Sequence, residues 1–245
     1  MKKVLVLFML TLLMSSCATT AFYQIYNVNS ELEKSENGFI YEDEVCRISY
    51  DFWEIHGNLS FLFENKSDND IYIYLTNSFI LKNDIAFDSY TEREIITSNT
   101  LLNTMITDKQ QPIVIVPSKS KKYITGSCCD ITKEVIYMCE RKIDFPSKKT
   151  AEHTYNYETT PLKFVNRIAY SFENNAKDYI YINNEFWISG YFNCPTKYAV
   201  RNMKATDCLS GGEKEIDYNL FRSANSFYNQ YKLIKQSYGN LHYAW

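Results

Sequence analysis

The chain has 245 residues, 45% of them apolar and 22% charged, with only 7 Gly and 5 Pro. That balance excludes collagen-like, low-complexity and wholly disordered chains, each of which needs a Gly/Pro or charge bias absent here. The formal net charge of −3 excludes a broadly basic nucleic-acid binder, and the clusters Lys119-Ser-Lys121-Lys122 and Lys148-Lys149 read as solvated turns. Aromatic residues reach 16%, with 21 Tyr and 15 Phe, and rings of that size favour strands over helices. A chain this long buries about 70% of the surface its unfolded form exposes, so its core needs neither metal nor disulfide.

Lys2 and Lys3 precede an apolar run over residues 4–14, interrupted by Thr11, and Ser15, Ser16 and Cys17 follow. A charged start, an apolar centre and small residues at a cleavage point predict a signal peptide over residues 1–16. Eleven helical residues rise about 16 Å, half the hydrocarbon thickness of a bilayer, so the run is too short to span one. Cys17, directly after two small residues, resembles the lipobox of bacterial lipoproteins, with Met14 standing where Leu is usual. The resemblance implies cleavage before Cys17, acylation of its sulfur and amino group, palmitate included, and a cell-envelope lipoprotein. The outer membrane is the expected one, and its face stays open because no acidic export run follows Cys17. The other reading is a plain signal peptide cut near Ala21. Losing Lys2 and Lys3 with the leader moves the net charge to −5, so membrane contact is expected through acyl chains on Cys17, with the body in water.

Period-two alternation then recurs, the mark of strands with unlike faces. A first β unit is expected over 17–146. Cys46, Ile48, Tyr50 and Phe52 share one face, and Leu59, Phe61 and Phe63 share the next, with a turn at 54–58 between them. Residues 64–70 read as a polar hairpin connection, after which Ile71, Ile73 and Leu75 alternate with Tyr72 and Tyr74. Asn83-Asp84 predicts a tight turn, because both residues tolerate positive φ. Further strands are expected at 113–116, 121–125 and 135–139. A polar connection over 147–160 leads to a second β unit, 161–245, with strands at 164–172 and 179–188.

The second unit echoes the first. Phe63-Glu64-Asn65 returns as Phe172-Glu173-Asn174, and Tyr72-Ile-Tyr-Leu75 returns as Tyr179-Ile-Tyr-Ile182. The echo predicts two related units, either tandem sandwiches or halves of one. In both copies the aliphatic set, Ile73 and Leu75 with Ile180 and Ile182, is expected to face the core. Tyr72, Tyr74, Tyr179 and Tyr181 then point the other way, either covered by neighbouring segments, which is the expectation, or forming a contact surface. Near the end, Ile216, Leu220, Ala224, Phe227, Tyr231 and Ile234 follow helical spacing, which predicts a helix over 213–236, the other reading being two more short strands.

Beyond Cys17 stand Cys46, Cys128, Cys129, Cys139, Cys194 and Cys208. An even number in an exported chain permits three disulfides, and Cys194 with Cys208, bracketing a polar segment, is the expected pair. Cys46 reads equally as bonded or as a buried thiol. No short Cys-x-x-Cys spacing, phosphate loop, dinucleotide fingerprint or nucleophile elbow occurs, so no metal, cofactor or catalytic residue is assigned. His56, His153 and His242 read as surface residues, and Glu42-Asp43-Glu44 reads as a solvated strand entrance in preference to a glycosidase acid pair. The strings Thr160-Pro-Leu-Lys-Phe-Val-Asn166 and Ser78-Phe-Ile-Leu-Lys-Asn83 resemble envelope lipoproteins of Bacteroidetes, which implies a setting and no chemistry. The expectation is a mainly β, antiparallel sandwich with a C-terminal helix, serving as a non-enzymatic binding or structural lipoprotein. Its expected partners are the membrane and another envelope protein or a glycan, with no nucleic acid. The alternative is a glycan-active protein, either a carbohydrate-binding module or a glycoside hydrolase.

Overall fold

A computed structural model of the chain describes residues 21–92, 94–99, 104–125, 130–132, 146–206, 212–235 and 241–244. The leader, Cys17, Cys128, Cys129, Cys139, Cys208 and the strand expected at 135–139 lie outside the described residues. The described strands are β1 (Ala21–Asn29), β2 (Glu33–Ser35), β3 (Gly38–Glu42), β4 (Cys46–Tyr50), β5 (Phe61–Asn65), β6 (Ile71–Tyr74), β7 (Phe79–Lys82), β8 (Ile85–Asp88), β9 (Glu94–Asn99) and β10 (Thr104–Lys109). They continue with β11 (Ile113–Val116), β12 (Lys121–Ile124), β13 (His153–Thr154), β14 (Lys163–Ser171), β15 (Ile180–Pro195), β16 (Val200–Thr206), β17 (Glu213–Asn219), β18 (Ser226–Lys235) and β19 (Leu241–Ala244). One short helix, α1 (Thr196–Ala199), joins β15 to β16.

Two antiparallel sheets face each other. The larger runs β11-β6-β14-β15-β1-β18-β19, with β7, β8 and β13 beside it, and the smaller runs β12-β5-β4-β3-β2. Alternation along β4 and β5 turns Cys46, Ile48, Tyr50, Phe61 and Phe63 inward. They meet Ile71, Ile73, Phe164, Ile168, Ile182 and Phe186 from the larger sheet in one continuous core. At its centre Phe186 lies 5.0 Å from both Tyr50 and Phe52, edge to face. Full burial of each such ring contributes about 2–3 kcal/mol. The Tyr50 hydroxyl accepts hydrogen bonds from the side-chain amides of Asn166 (3.1 Å) and Asn184 (2.7 Å), which fixes the facing distance of the two sheets.

Strands from both expected units share the larger sheet, because β6 and β11 lie in line with β14, β15 and β18. The fold is therefore sandwich-like around one core. The two echoing segments do not adopt the same topology. β14 and β15 form a hairpin within one sheet, whereas β5 and β6 belong to different sheets and the polar connection between them crosses from one to the other. Expected hairpin geometry does hold at Asn83 and Asp84, whose φ values of 46° and 67° close a two-residue turn between paired Lys82 and Ile85.

The helix expected over 213–236 is not formed. Residues 213–235 are β17, a turn and β18. The apolar residues of this stretch step by 4, 4, 3, 4 and 3; the steps of four, such as Phe227 to Tyr231 within β18, are also two strand periods, a step of three falls in the turn between the strands, and the Tyr and Phe content favours strands. Phe227 and Tyr231 lie buried on one face of β18, while Ile216 and Leu220 are 43% and 48% exposed. β1 lies inside the larger sheet, between β15 and β18, and it starts with Ala21 opposite Lys232 of β18 and Phe22 opposite Pro195, the last residue of β15.

Candidate functional site

The four tyrosines singled out by the echo lie on the face of the larger sheet turned away from the core. β14 lies between β6 and β15, and it offers Ala169 opposite Tyr181, with Tyr170 opposite Ile73. The small Ala169 leaves room above it for rings from both flanking strands. Tyr74 and Tyr179 meet edge to face at 4.8 Å, Tyr179 and Tyr181 at 6.4 Å, and the Arg167 guanidinium sits 4.4 Å from the centre of the Tyr181 ring. Three tyrosines from distant parts of the chain thus form one cluster, and Tyr72 flanks it between Ile115 and Ser171.

Their coverage differs. Tyr74 is 5% exposed; its hydroxyl donates to the Glu173 carbonyl (2.6 Å) and accepts from the Ala176 amide (3.2 Å), so the 173–176 turn covers it. Tyr72 and Tyr179 are half-buried and Tyr181 is 40% exposed. Burial under neighbouring segments therefore holds for Tyr74 and fails for Tyr181. Of the aliphatic set, Ile73, Leu75 and Ile182 are buried as expected, but Ile180 is 47% exposed. It opens β15 beside the turn that follows β14. Exposed Ile115 and Tyr181 with half-buried Tyr72 and Tyr179 form an amphipathic surface with the Arg167 guanidinium upon it, while Ile180 is exposed on the opposite sheet face. Flat rings with polar tips are the composition enriched where proteins meet partners.

The cavity between Leu59, Phe61, Ile73, Ser78, Asn166 and Ile168 has a volume of about 10 Å³, room for one water at most. Two acids of the 42–44 run, Glu42 and Asp43, hold the local structure. Glu42 is drawn toward Lys66 (2.8 Å) and Arg47 (3.6 Å), and the Lys66 hydrogen bond holds its carboxyl below the ordinary range. Burial pushes the Asp43 carboxyl up, but hydrogen bonds from the Cys46 amide, the Tyr41 hydroxyl and the Val45 amide outweigh it and leave it lowered. Cys46 beneath this loop is a buried free thiol whose pKa is raised to about 12, chiefly by burial and secondly by Asp43. Cys194 is also a buried free thiol, its pKa raised by burial. Its expected partner, Cys208, lies outside the described residues.

Sequence reading missed a polar chain through the body. Gln24 is fully buried; its amide donates to Asn193 (2.9 Å) and its carbonyl accepts from Tyr26 (2.5 Å) and Tyr231 (3.4 Å). The Asn229 amide donates to the Tyr231 hydroxyl (3.5 Å), and the Asn229 carbonyl oxygen lies 2.9 Å from His56 Nδ1, so this nitrogen carries the ring proton. His56 is half-buried at φ 65°, within the turn expected at 54–58. It is an anchored residue of the body, not a surface one. The available signal was Gln24 between Phe22 and Tyr26, a polar residue on an otherwise aromatic strand face. Among the described residues no group of His, Cys, Asp and Glu could hold a metal, and no helix is long and apolar enough to cross a membrane. No protein family, curated protein or solved structure matches the chain.

Proposed function

We propose that this chain is a membrane-anchored envelope lipoprotein, acylated at Cys17, whose β body is a non-enzymatic binding or structural module. The observation that carries the reading is the succession Lys2-Lys3, apolar residues 4–14, Ser15-Ser16-Cys17. Its position relative to the fold supports it, because β1 opens at Ala21, four residues after Cys17, so an anchor there leads directly into the central part of the larger sheet. On this reading the surface around Tyr181, Tyr179 and Tyr72 takes another envelope protein as its partner. Its exposed ring and apolar side chains favour contact with a second surface over hydrolysis, and Glu42 and Asp43 of the acidic run are already engaged in holding their loop. Affinity capture from the protein's own envelope tests the contact: a partner held by the wild type is expected to be lost from Tyr181→Ser/Tyr72→Ser at unchanged melting temperature. Equal capture by both proteins refutes the assignment of that surface.

A further inference from the structure

β16 and β17 form a ribbon of their own, paired with neither sheet. Two strands alone are marginally stable in water, and this pair carries unlike faces. Register places Met203 opposite Ile216 and Arg201 opposite Tyr218 on one face, with Asn202 opposite Asp217, Lys204 opposite Glu215 and Thr206 opposite Glu213 on the other. Met203, Ile216 and Tyr218 are 41–45% exposed, and Leu220 just beyond is 48% exposed. All three acids of β17, Glu213, Glu215 and Asp217, fall on the second face. The described residues of β16 and β17 are exposed on both faces apart from half-buried Val200 and Asn219, so the face carrying Met203, Ile216, Tyr218 and Arg201 is open to its surroundings.

The base of the ribbon stands where the chain enters the fold. Phe22 pairs with Pro195, α1 follows at once and packs against β1, and Val200 opens β16. Cys17 lies four residues before Ala21, so at most about 14 Å of extended chain separates them. An acyl anchor at Cys17 thus brings this part of the body, and the ribbon with it, to the bilayer surface. We propose that the apolar face of the ribbon, Met203, Ile216 and Tyr218 with Arg201, rests in the headgroup region of the same membrane as a second contact beside the lipid anchor. The inference rests on the acylation of Cys17 proposed above. The occupant is a lipid bilayer: Met and Ile enter the acyl boundary, Tyr sits at headgroup level, and the guanidinium meets lipid phosphate.

The test uses the full acylated protein in vesicles of dibrominated phosphatidylcholine, with a tryptophan added at one ribbon position and the wild-type emission subtracted. Ile216→Trp is expected to lose most of its added emission, and its neighbour Glu215→Trp, on the opposite face, to keep it. Met203→Trp, opposite Ile216 in register, must repeat the loss if Ile216→Trp is poorly folded. Full emission from both Ile216→Trp and Met203→Trp overturns the ribbon contact, as does equal quenching of Glu215→Trp. Mass analysis of the same samples separates the two ideas. Acylated Cys17 with an unquenched ribbon removes this proposal alone, and an unmodified N-terminus removes the anchor on which it rests.

Discussion

Tyr74 and Tyr181 have the same residue type, the same sheet face and the same place in the echo, yet the structure covers one and leaves the other open. Tyr74→Ala empties a position that is 5% exposed and deletes both hydrogen bonds of its hydroxyl, leaving the Ala176 amide and Glu173 carbonyl without it. Emptying a buried aromatic position costs about 3–5 kcal/mol. Tyr74→Phe keeps the ring against Tyr179 and removes only the hydroxyl, for about 1–2 kcal/mol. Tyr181→Ala removes a ring that is 40% exposed and touched by Arg167 and Tyr179, for under about 1 kcal/mol. Urea unfolding at constant m-value measures all three. In a thermal scan each kcal/mol corresponds to about 2–4 °C for a domain of this size, so Tyr74→Ala separates clearly from Tyr181→Ala. Equal losses from the two alanine variants would refute the division into a covered and a contact tyrosine. A Tyr74→Ala loss under about 1 kcal/mol would show that the 173–176 turn does not seal the ring.

Gly38→Ala is expected to unfold the chain or cost several kcal/mol, because Gly38 has φ 111° and an added Cβ would lie 1.7 Å from the Tyr50 carbonyl oxygen. A wild-type urea midpoint would contradict the β3–β4 register. Asp43 has a lowered carboxyl pKa, so its contribution is present above the unfolded value near 4 and fades as pH falls through the lower folded value. Asp43→Asn should therefore flatten the acid limb of the stability curve, and an unchanged limb refutes the capping role. Cys46 and Cys194, both buried free thiols with raised pKa values, should resist a thiol reagent at pH 8 in the native protein and react once unfolded without reductant. Rapid native labelling of Cys46 contradicts its burial, and failure of Cys194 to label after unfolding means that it is bridged.

Legibility in the sequence followed how each strand is covered. β4 and β5 have one buried and one open face, and their period-two pattern was plain. β1 alternates in burial except at Ile25, but buried Gln24 and half-buried Tyr23 reverse the apolar and polar signs along it, so its sequence left no plain period-two signal of its central place. The Asn83-Asp84 turn was legible because its φ values depend on those two residues alone. The echo misled on topology because Tyr-Ile-Tyr fits any half-covered strand, whereas the choice between hairpin and cross-sheet link is made by distant partners, β11 and β14 for β6. For the tyrosines, direction was readable from parity and coverage was not, since the 173–176 turn over Tyr74 is a tertiary contact. His56 and Gln24 escaped notice for the same reason: their partners Asn229 and Asn193 lie more than 160 residues away.

The central claim is that the folded body hangs from an acylated Cys17. Intact mass analysis of the mature protein extracted from its own membrane, with fragmentation of its first peptide, tests it directly. The account predicts a chain beginning at Cys17 and carrying a thioether-linked diacylglyceryl group, with its amine free or acylated. An unmodified N-terminus, or one beginning beyond Cys17, contradicts it.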